Sequence, residues 1–518
     1  MRGGGLRNAQ PALRGNALPT PFRASLILLA FLAIATPAQA QTLRIGMQGD
    51  PATLDPAQSA AFVDRVAMAA VCDKLIELDE KLAYVPQLAT AWAWGADGLA
   101  LTLTLRAGVT FHDGEPLDAA AVKFNIERYK SAPSSRRVSE LKPVKAAVVV
   151  DPMTVRLELS EPYAPLMAQL ADRAGMMVSP EAARELGDKM TKRPVCAGPY
   201  RIVEWVAQDR IVFEKFDRYW NAAAVTIDRV TYLPIPDDTV RLTNLRAGSF
   251  QLTERVAPSD LGIVRGDARL RLYESPSLGY RVLSINGTRH EGAKSPLGSN
   301  ARLREAFDLS LDRQIINQVA FDGAFIPSNQ PEAPGTTYHA AAFPVPPRDL
   351  ARAKALVAEH GGHPAVNLLI GSDPLDARVA QVIQAMAGEA GFDVRITVME
   401  AATLLNRITN GNYEVSLLIW SGRADPDANI SIWVACDGFV NYGKYCEPKL
   451  DDILRRARQT TDVAERKRLY AEAAAIYLPA RAYLFLYHLK WFWGASAKRT
   501  GIVPHPDGII RLQGLRLN

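Results

Sequence analysis

Val366-Asn367-Leu368-Leu369-Ile370 opens the segment that decides the fold. It is an apolar run of strand length. Residues 375–390 follow it with Val379, Val382, Ile383 and Met386 on one helical face, and Gly391 marks the end of that helix. Val394 to Val398 reads as a second strand, Ala401 to Thr409 as a second helix and Tyr413 to Trp420 as a third strand. This β-α-β-α-β alternation implies parallel strands joined by right-handed crossovers. In such sheets ligands sit beyond the carboxyl ends of the strands. Topology alone therefore selects the loop after Trp420, Ser421-Gly422-Arg423-Ala424-Asp425-Pro426-Asp427, as a binding site.

Downstream, helices are expected over 451–458 and 463–477, the second with Asp462 and Glu465 spaced as a capping box. Strand-like aromatics return at Tyr483-Leu484-Phe485-Leu486-Tyr487. Upstream, Thr42 to Met47 reads as a strand, and Leu101-Thr102-Leu103-Thr104-Leu105 alternates as a half-buried strand does. Asp97-Gly98 supplies a turn between that strand and Trp92–Trp94. Asp118 is placed to cap a helix through Val122, Ile126 and Tyr129, and Pro/Gly-rich surface loops are expected at 327–347.

The chain has 518 residues, enough for several folding units. Its 48% hydrophobic and 22% charged residues exclude a mainly disordered chain. Arg2, Arg7, Arg14 and Arg23 form a basic leader ahead of the apolar run Leu26–Ala35, and Ala38 and Ala40 fit an A-x-A cleavage rule. Residues 1–40 therefore read as a secretory signal peptide cut before Gln41, since the run is about half the roughly 20 residues of a spanning helix. No cysteine lies near the cut, so a soluble exported chain without a lipid anchor is expected. Losing four arginines and no acid takes the formal charge from +5 to +1, which removes the case for a nucleic-acid partner. Four cysteines in an oxidising compartment suggest two disulfides. Cys436 and Cys446 are close in sequence, which leaves Cys72 for Cys196, the alternative being free buried thiols.

Enzyme motifs are missing. There is no G-x-S-x-G elbow, no H-E-x-x-H and no Walker A loop. Ser139-Glu140-Leu141-Lys142 matches S-x-x-K, but its partner motifs S-D-N and K-T-G are absent. The seven histidines are scattered, and His360 and His363 flank Gly361-Gly362 without a carboxylate cluster, so no metal or cofactor site is expected. Asp237-Asp238 are neighbours on the chain and read as loop residues rather than an acid/base pair.

A longer ordered set of residues carries a resemblance. It comprises Pro86-Gln87-Leu88-Ala89-Thr90-Ala91-Trp92, Asp97-Gly98, the run Leu105-Arg106-Ala107-Gly108-Val109-Thr110-Phe111-His112-Asp113-Gly114, and Asp118 to Phe124. Gly198-Pro199-Tyr200, Glu204-Trp205, Tyr219-Trp220 and Leu311-Asp312-Arg313 continue it. Together they resemble the family 5 solute-binding proteins of bacterial ABC importers, the dipeptide, oligopeptide and nickel group. The resemblance implies an α/β, two-lobed periplasmic binding protein of type II, with an extra subdomain and mixed sheets flanked by helices. It further implies that 41–77, 195–285 and 485–518 build lobe I, 78–194 its inserted subdomain and 286–484 lobe II. Phe111-His112-Asp113-Gly114 is then a structural turn. The implied partners are a small solute and the permease subunits with their ATPases, the chain itself being a non-enzymatic monomer.

In peptide-binding members an Asp three residues after the strand-ending Trp holds the peptide ammonium; here that position is Arg423. A guanidinium suits carboxylate or phosphate instead. The expected ligand thus carries an anionic group held by Arg423, as peptides, glutathione-like peptides and opine-like conjugates do. Asp425 or Asp427 could take the amine role, or else pair with Arg423 and only shape the loop. Trp420 and Tyr280 are further candidate ligand contacts. The alternatives are a metal chelate, as in the nickel branch, and an exported hydrolase.

Overall fold

In the computed structural model, which describes residues 41–288 and 290–517, two long strands pair antiparallel: Leu270–Ile285 and Tyr483–Ser496. The expected signal peptide, residues 1–40, lies outside the described residues. At about 3.4 Å per residue the first of these strands reaches roughly 50 Å, far beyond the usual strand of about 5–6 residues. On one flank stand Val415–Trp420, Ala365–Gly371 and Asp393–Met399, and Ala365–Gly371 runs parallel to both of the others. On the other flank stand Leu252–Thr253, Thr42–Met47 and Arg229–Pro234, with Thr42–Met47 parallel to both neighbours. Arg210–Lys215 and Tyr200–Val206 extend that edge antiparallel, and Ile326–Pro327 adds to Tyr483–Ser496 off the main path. One mixed sheet thus runs through two lobes, a first built on Thr42–Met47 and a second built on Ala365–Gly371, with the long pair crossing between them.

The local readings explain these elements. Val366, Leu368, Leu369 and Ile370 are all buried, as a parallel strand covered on both faces requires. The following helix spans Pro374–Ala390; Asp373 caps it by accepting from Leu375 N, Val379, Ile383 and Met386 turn inward, and Gly391 closes it at φ +104°. The helix expected after Asp462 spans Val463–Ala480. Only half of its capping box forms: the Asp462 side chain accepts from Glu465 N, whereas Glu465 turns to Arg468 and Thr460 Oγ1 takes the Asp462 N–H.

The segment after Tyr84 builds a separate four-stranded antiparallel sheet, Ala89–Trp94, Ala100–Leu105, Thr154–Leu159 and Val144–Asp151 in that order. Helix Ala119–Ser131, capped by Asp118, buries Val122, Ile126 and Tyr129 against Leu101, Leu103 and Leu157. Phe111 to Glu115 is the turn that the resemblance implies. Gly114 sits at φ +101°, and His112 Nε2 lies 3.1 Å from Gly198 O. Burial lowers the His112 pKa to about 4, so the ring stays neutral.

One expectation is corrected in part. The first part of 327–347 is packed inward, with Ser328, Gln330, Glu332 and Ala340 buried, while Pro334, Gly335, Thr337, Ala341, Ala342, Pro344 and Pro347 lie exposed as expected. The reason is polar: Gln330 Nε2 donates to Ala340 O and Phe343 O, which closes the segment on itself and satisfies backbone that burial strips of water.

Both disulfides form, Cys72–Cys196 and Cys436–Cys446, with sequence separations of 124 and 10. The longer loop removes more freedom from the unfolded chain. Cys72→Ser with Cys196→Ser should therefore cost about 3–5 kcal/mol in urea unfolding, and the Cys436/Cys446 pair clearly less. Equal losses would refute this ordering.

Candidate functional site

The carboxyl ends of the parallel strands from both lobes converge. Gln48 follows Thr42–Met47, Pro236 and Asp237 follow Arg229–Pro234, and Arg255 follows Leu252–Thr253. Asp373 follows Ala365–Gly371, and Ile419 lies near the end of Val415–Trp420. They enclose a cavity of about 560 Å³, floored by Arg281, Tyr487 and Lys490 of the crossing strands. Arg281 reaches Asp376 at 3.0 Å and Asp373 at 3.5 Å. Burial, helped by Asp373 and opposed by Arg281, raises the Asp376 carboxyl to about 6.

The loop after Trp420 is pressed on the crossing strand and lines a separate, smaller space. Gly422 adopts φ +75°, and a Cβ there would meet Leu278 O at 2.1 Å; a Cβ on Gly279 would meet Trp420 O at 2.6 Å. Glycine at both positions lets the two backbones touch. Asn429 then holds the loop with all four hydrogen bonds its amide can make. Its Oδ1 accepts from Arg423 N at 2.8 Å and Trp420 Nε1 at 3.2 Å, and its Nδ2 donates to Arg423 O and Glu332 Oε1, both at 2.8 Å.

The residues selected from the sequence have separate placements. Arg423 stacks its guanidinium 5.1 Å from the Trp420 ring and donates to Ser421 Oγ and Gly422 O. Its ion-pair partner is neither Asp425 nor Asp427 but Asp172, at 3.4 Å. Asp425 is gripped by Arg466 through two bonds of 2.8 Å. Asp427 pairs with Arg458 at 2.7 Å and accepts from Ser431. Both carboxylates are buried. Tyr280 is fully buried among Trp433, Phe485 and His488, with its hydroxyl donating to Asn429 O. The strand pleat turns its neighbour Arg281 the other way, toward the cavity.

Several cleft residues escaped the sequence reading. Asp172 collects Arg65 at 3.0 Å and Arg173 at 3.8 Å besides Arg423. Burial pushes its carboxyl up, but the three guanidiniums outweigh that and hold it far below the usual carboxylate range. Burial, with Arg423 and Arg65 close by, lowers Arg173 to about 9 against the pull of Asp172. Nothing local in the sequence marks Asp172, Arg65, Arg281 or Glu332; only the glycines at 279 and 422 carry a local hint. Among the described residues no group of three or more His, Cys, Asp or Glu could hold a metal ion, and no helix is long and apolar enough to cross a membrane.

Burial, with Asp425 adding to it, raises the Glu332 carboxyl from 4.5 to about 8, against the Asn429 amide and Arg466. A raised folded pKa means stability that is complete below 4.5 and lost as pH rises through about 8. Glu332→Gln keeps the acceptor for Asn429 without the titration. Its melting temperature should gain on the unmodified chain from about pH 5 to about pH 9. Parallel curves would contradict this.

Comparison with known proteins identifies the architecture. A family model for bacterial extracellular solute-binding proteins, family 5 (Middle), matches residues 83–441. The glutathione-binding protein GsiB of Pectobacterium atrosepticum is 28% identical over 478 residues, covering 89% of this chain and 91% of that one. A dipeptide-binding protein of Pseudoalteromonas sp. SM9913 in complex with Met-Leu superposes with a TM-score of 0.80 at 23% identity, over 92% of this chain and 100% of that one. NikZ of Campylobacter jejuni in complex with Ni(L-His) superposes with a TM-score of 0.79 at 22% identity, over 90% of this chain and 97% of that one. The two lobes, the crossing strands and the matched segment agree, and the chain belongs to the family 5 bacterial extracellular solute-binding proteins.

Proposed function

We propose that this chain is the exported, periplasmic binding component of an ABC importer, capturing a peptide-like or other anionic small solute between its lobes. It then delivers that solute to the permease, and it acts as a monomer without chemistry of its own. The observation that carries this reading is the cavity of about 560 Å³ to which strand ends of both lobes contribute. A site divided between lobes is completed only on closure, so a ligand touching both halves favours the closed form by its differential affinity. Residues 1–40 are read as the cleaved signal peptide, 78–194 as the inserted subdomain and 286–484 as lobe II.

We assign Arg423, with Trp420 stacked on it, to the ligand on one side of the crossing strand, and Arg281 and Lys490 to the floor of the larger cavity. Asp425, Asp427 and Tyr280 act as scaffold, since their polar atoms are engaged by Arg466, Arg458 and Asn429. The surroundings of Arg423 favour an anionic group over an ammonium. The GsiB relative is named for glutathione, and glutathione combines carboxylates with a peptide backbone. Glutathione is therefore the first probe.

Native mass spectrometry of the mature protein, taken from the periplasm without refolding, should show a co-purified small mass of net negative charge. Arg423→Ala should weaken binding of such a ligand by about 2–5 kcal/mol in calorimetry. Unchanged affinity would remove Arg423 from the site. A co-purified metal chelate would move the assignment to the nickel branch.

A further inference from the structure

The Arg423–Asp172 contact joins the two lobes, and the charges around it do not balance. Asp172 is shared by Arg65, Arg173 and Arg423, while Arg137 has Glu140 as its own partner. Three guanidiniums therefore share the one carboxylate of Asp172, while Asp507, on the same space, is held by Arg511 and offers Arg65 only its backbone carbonyl. Arg65 is buried, and its Nε has no hydrogen-bond acceptor. Arg65, Asp172 and Arg423 line one small space with Gly422, Leu278 and Asp507, of about 20 Å³. That is room for about one water and for no solute group. Asp172 keeps its firmer bond to Arg65, at 3.0 Å, within the first lobe, and lies 3.4 Å from Arg423 Nε of the second lobe.

We propose that Asp172 is a resident competitor: it latches the lobes through Arg423 and yields that guanidinium to the carboxylate of an incoming solute, with Arg65 and Arg423 forming the two halves of an anion subsite. The proposal rests on reading the cleft as the solute site. The exchange is favourable because Asp172 stays with Arg65 and Arg173 while the solute brings the negative charge the cluster lacks. Arg423 is freed for the two-bond, planar pairing that a carboxylate offers. A neutral solute has no counter-charge to give and must break the Arg423–Asp172 pair without return. The latch thus works as a filter for carboxylate-bearing solutes as well as a lobe contact.

The test uses the mature chain with Asp172→Asn and with Arg423→Gln. In small-angle scattering without added solute, both variants should show a larger radius of gyration than the unmodified chain, and the double variant no further increase. In calorimetry, Asp172→Asn should bind glutathione at least about tenfold more tightly than the unmodified chain, equivalent to about 1.4 kcal/mol. Glutathione diethyl ester, its carboxylates blocked, should show no such gain. Unchanged radii overturn the latch, and glutathione bound no better by Asp172→Asn overturns the competition. If Asp172→Asn fails to fold because Arg65 and Arg173 lose their partner, Arg423→Gln spares that trio and still decides the latch by scattering. Failure of the cleft reading itself would appear in the native mass spectra and would leave the scattering difference in place.

Discussion

The ladder between Leu270–Ile285 and Tyr483–Ser496 is the constraint from which the rest follows. Backbone groups buried between two lobes must be paired, and an antiparallel ladder pairs them on either side of Ser277 to Gly279, where Leu278 N donates to Pro506 O instead. It also sets which side chains face which way. Tyr483 and Phe485 enter the core with Trp433, Leu484 and Leu486 the core that joins Val366 and Ile383 to Phe250 and Val256, and Trp491 and Trp493 the core around Ile45 and Val230. One strand therefore anchors three hydrophobic clusters. The register slips between Pro276 and Tyr280, where proline has no N–H to give, and there the loop carrying Gly422 comes down on the strand.

The pleat of the same strand divides the labour at the site. Tyr280 goes into the core and carries Asn429 through its hydroxyl, while Arg281 goes to the cavity and its acids. Asn429 in turn pins both backbone groups of Arg423 and the indole of Trp420. The loop after Trp420 is held by a saturated side-chain network rather than by regular secondary structure.

Charge distribution gives the cleft its chemical character. Asp425 and Asp427 are neutralised within the second lobe by Arg466 and Arg458. Arg423 alone of this loop's charges reaches the opposite lobe, to a carboxylate already shared by Arg65 and Arg173. The larger cavity mixes both signs, with Asp237, Asp238 and Asp373 beside Arg281 and Lys490. If the proposed latch holds, solute recognition and lobe closure draw on one set of groups, and the affinity for a solute is coupled to the equilibrium between open and closed forms.

Much of the fold was legible in the sequence, because strand and helix periodicity are properties of neighbours along the chain. The elements from Val366 to Trp420, the caps at Asp118 and Asp373 and the turn at Gly114 all depend on contacts within a few residues. The place of the loop after Trp420 at the carboxyl end of its strand followed too, since parallel strands present those ends on one side. The inward packing of Ser328 to Ala333, the partner of Arg423 and the burial of Tyr280 were decided only by the tertiary structure. Each brings together residues distant in sequence, and a charged side chain chooses among partners by distance and burial, quantities that exist only once the chain is folded. From residue type alone Arg423 was a cation seeking an anion; Asp172, from another segment, is the anion that the fold delivers.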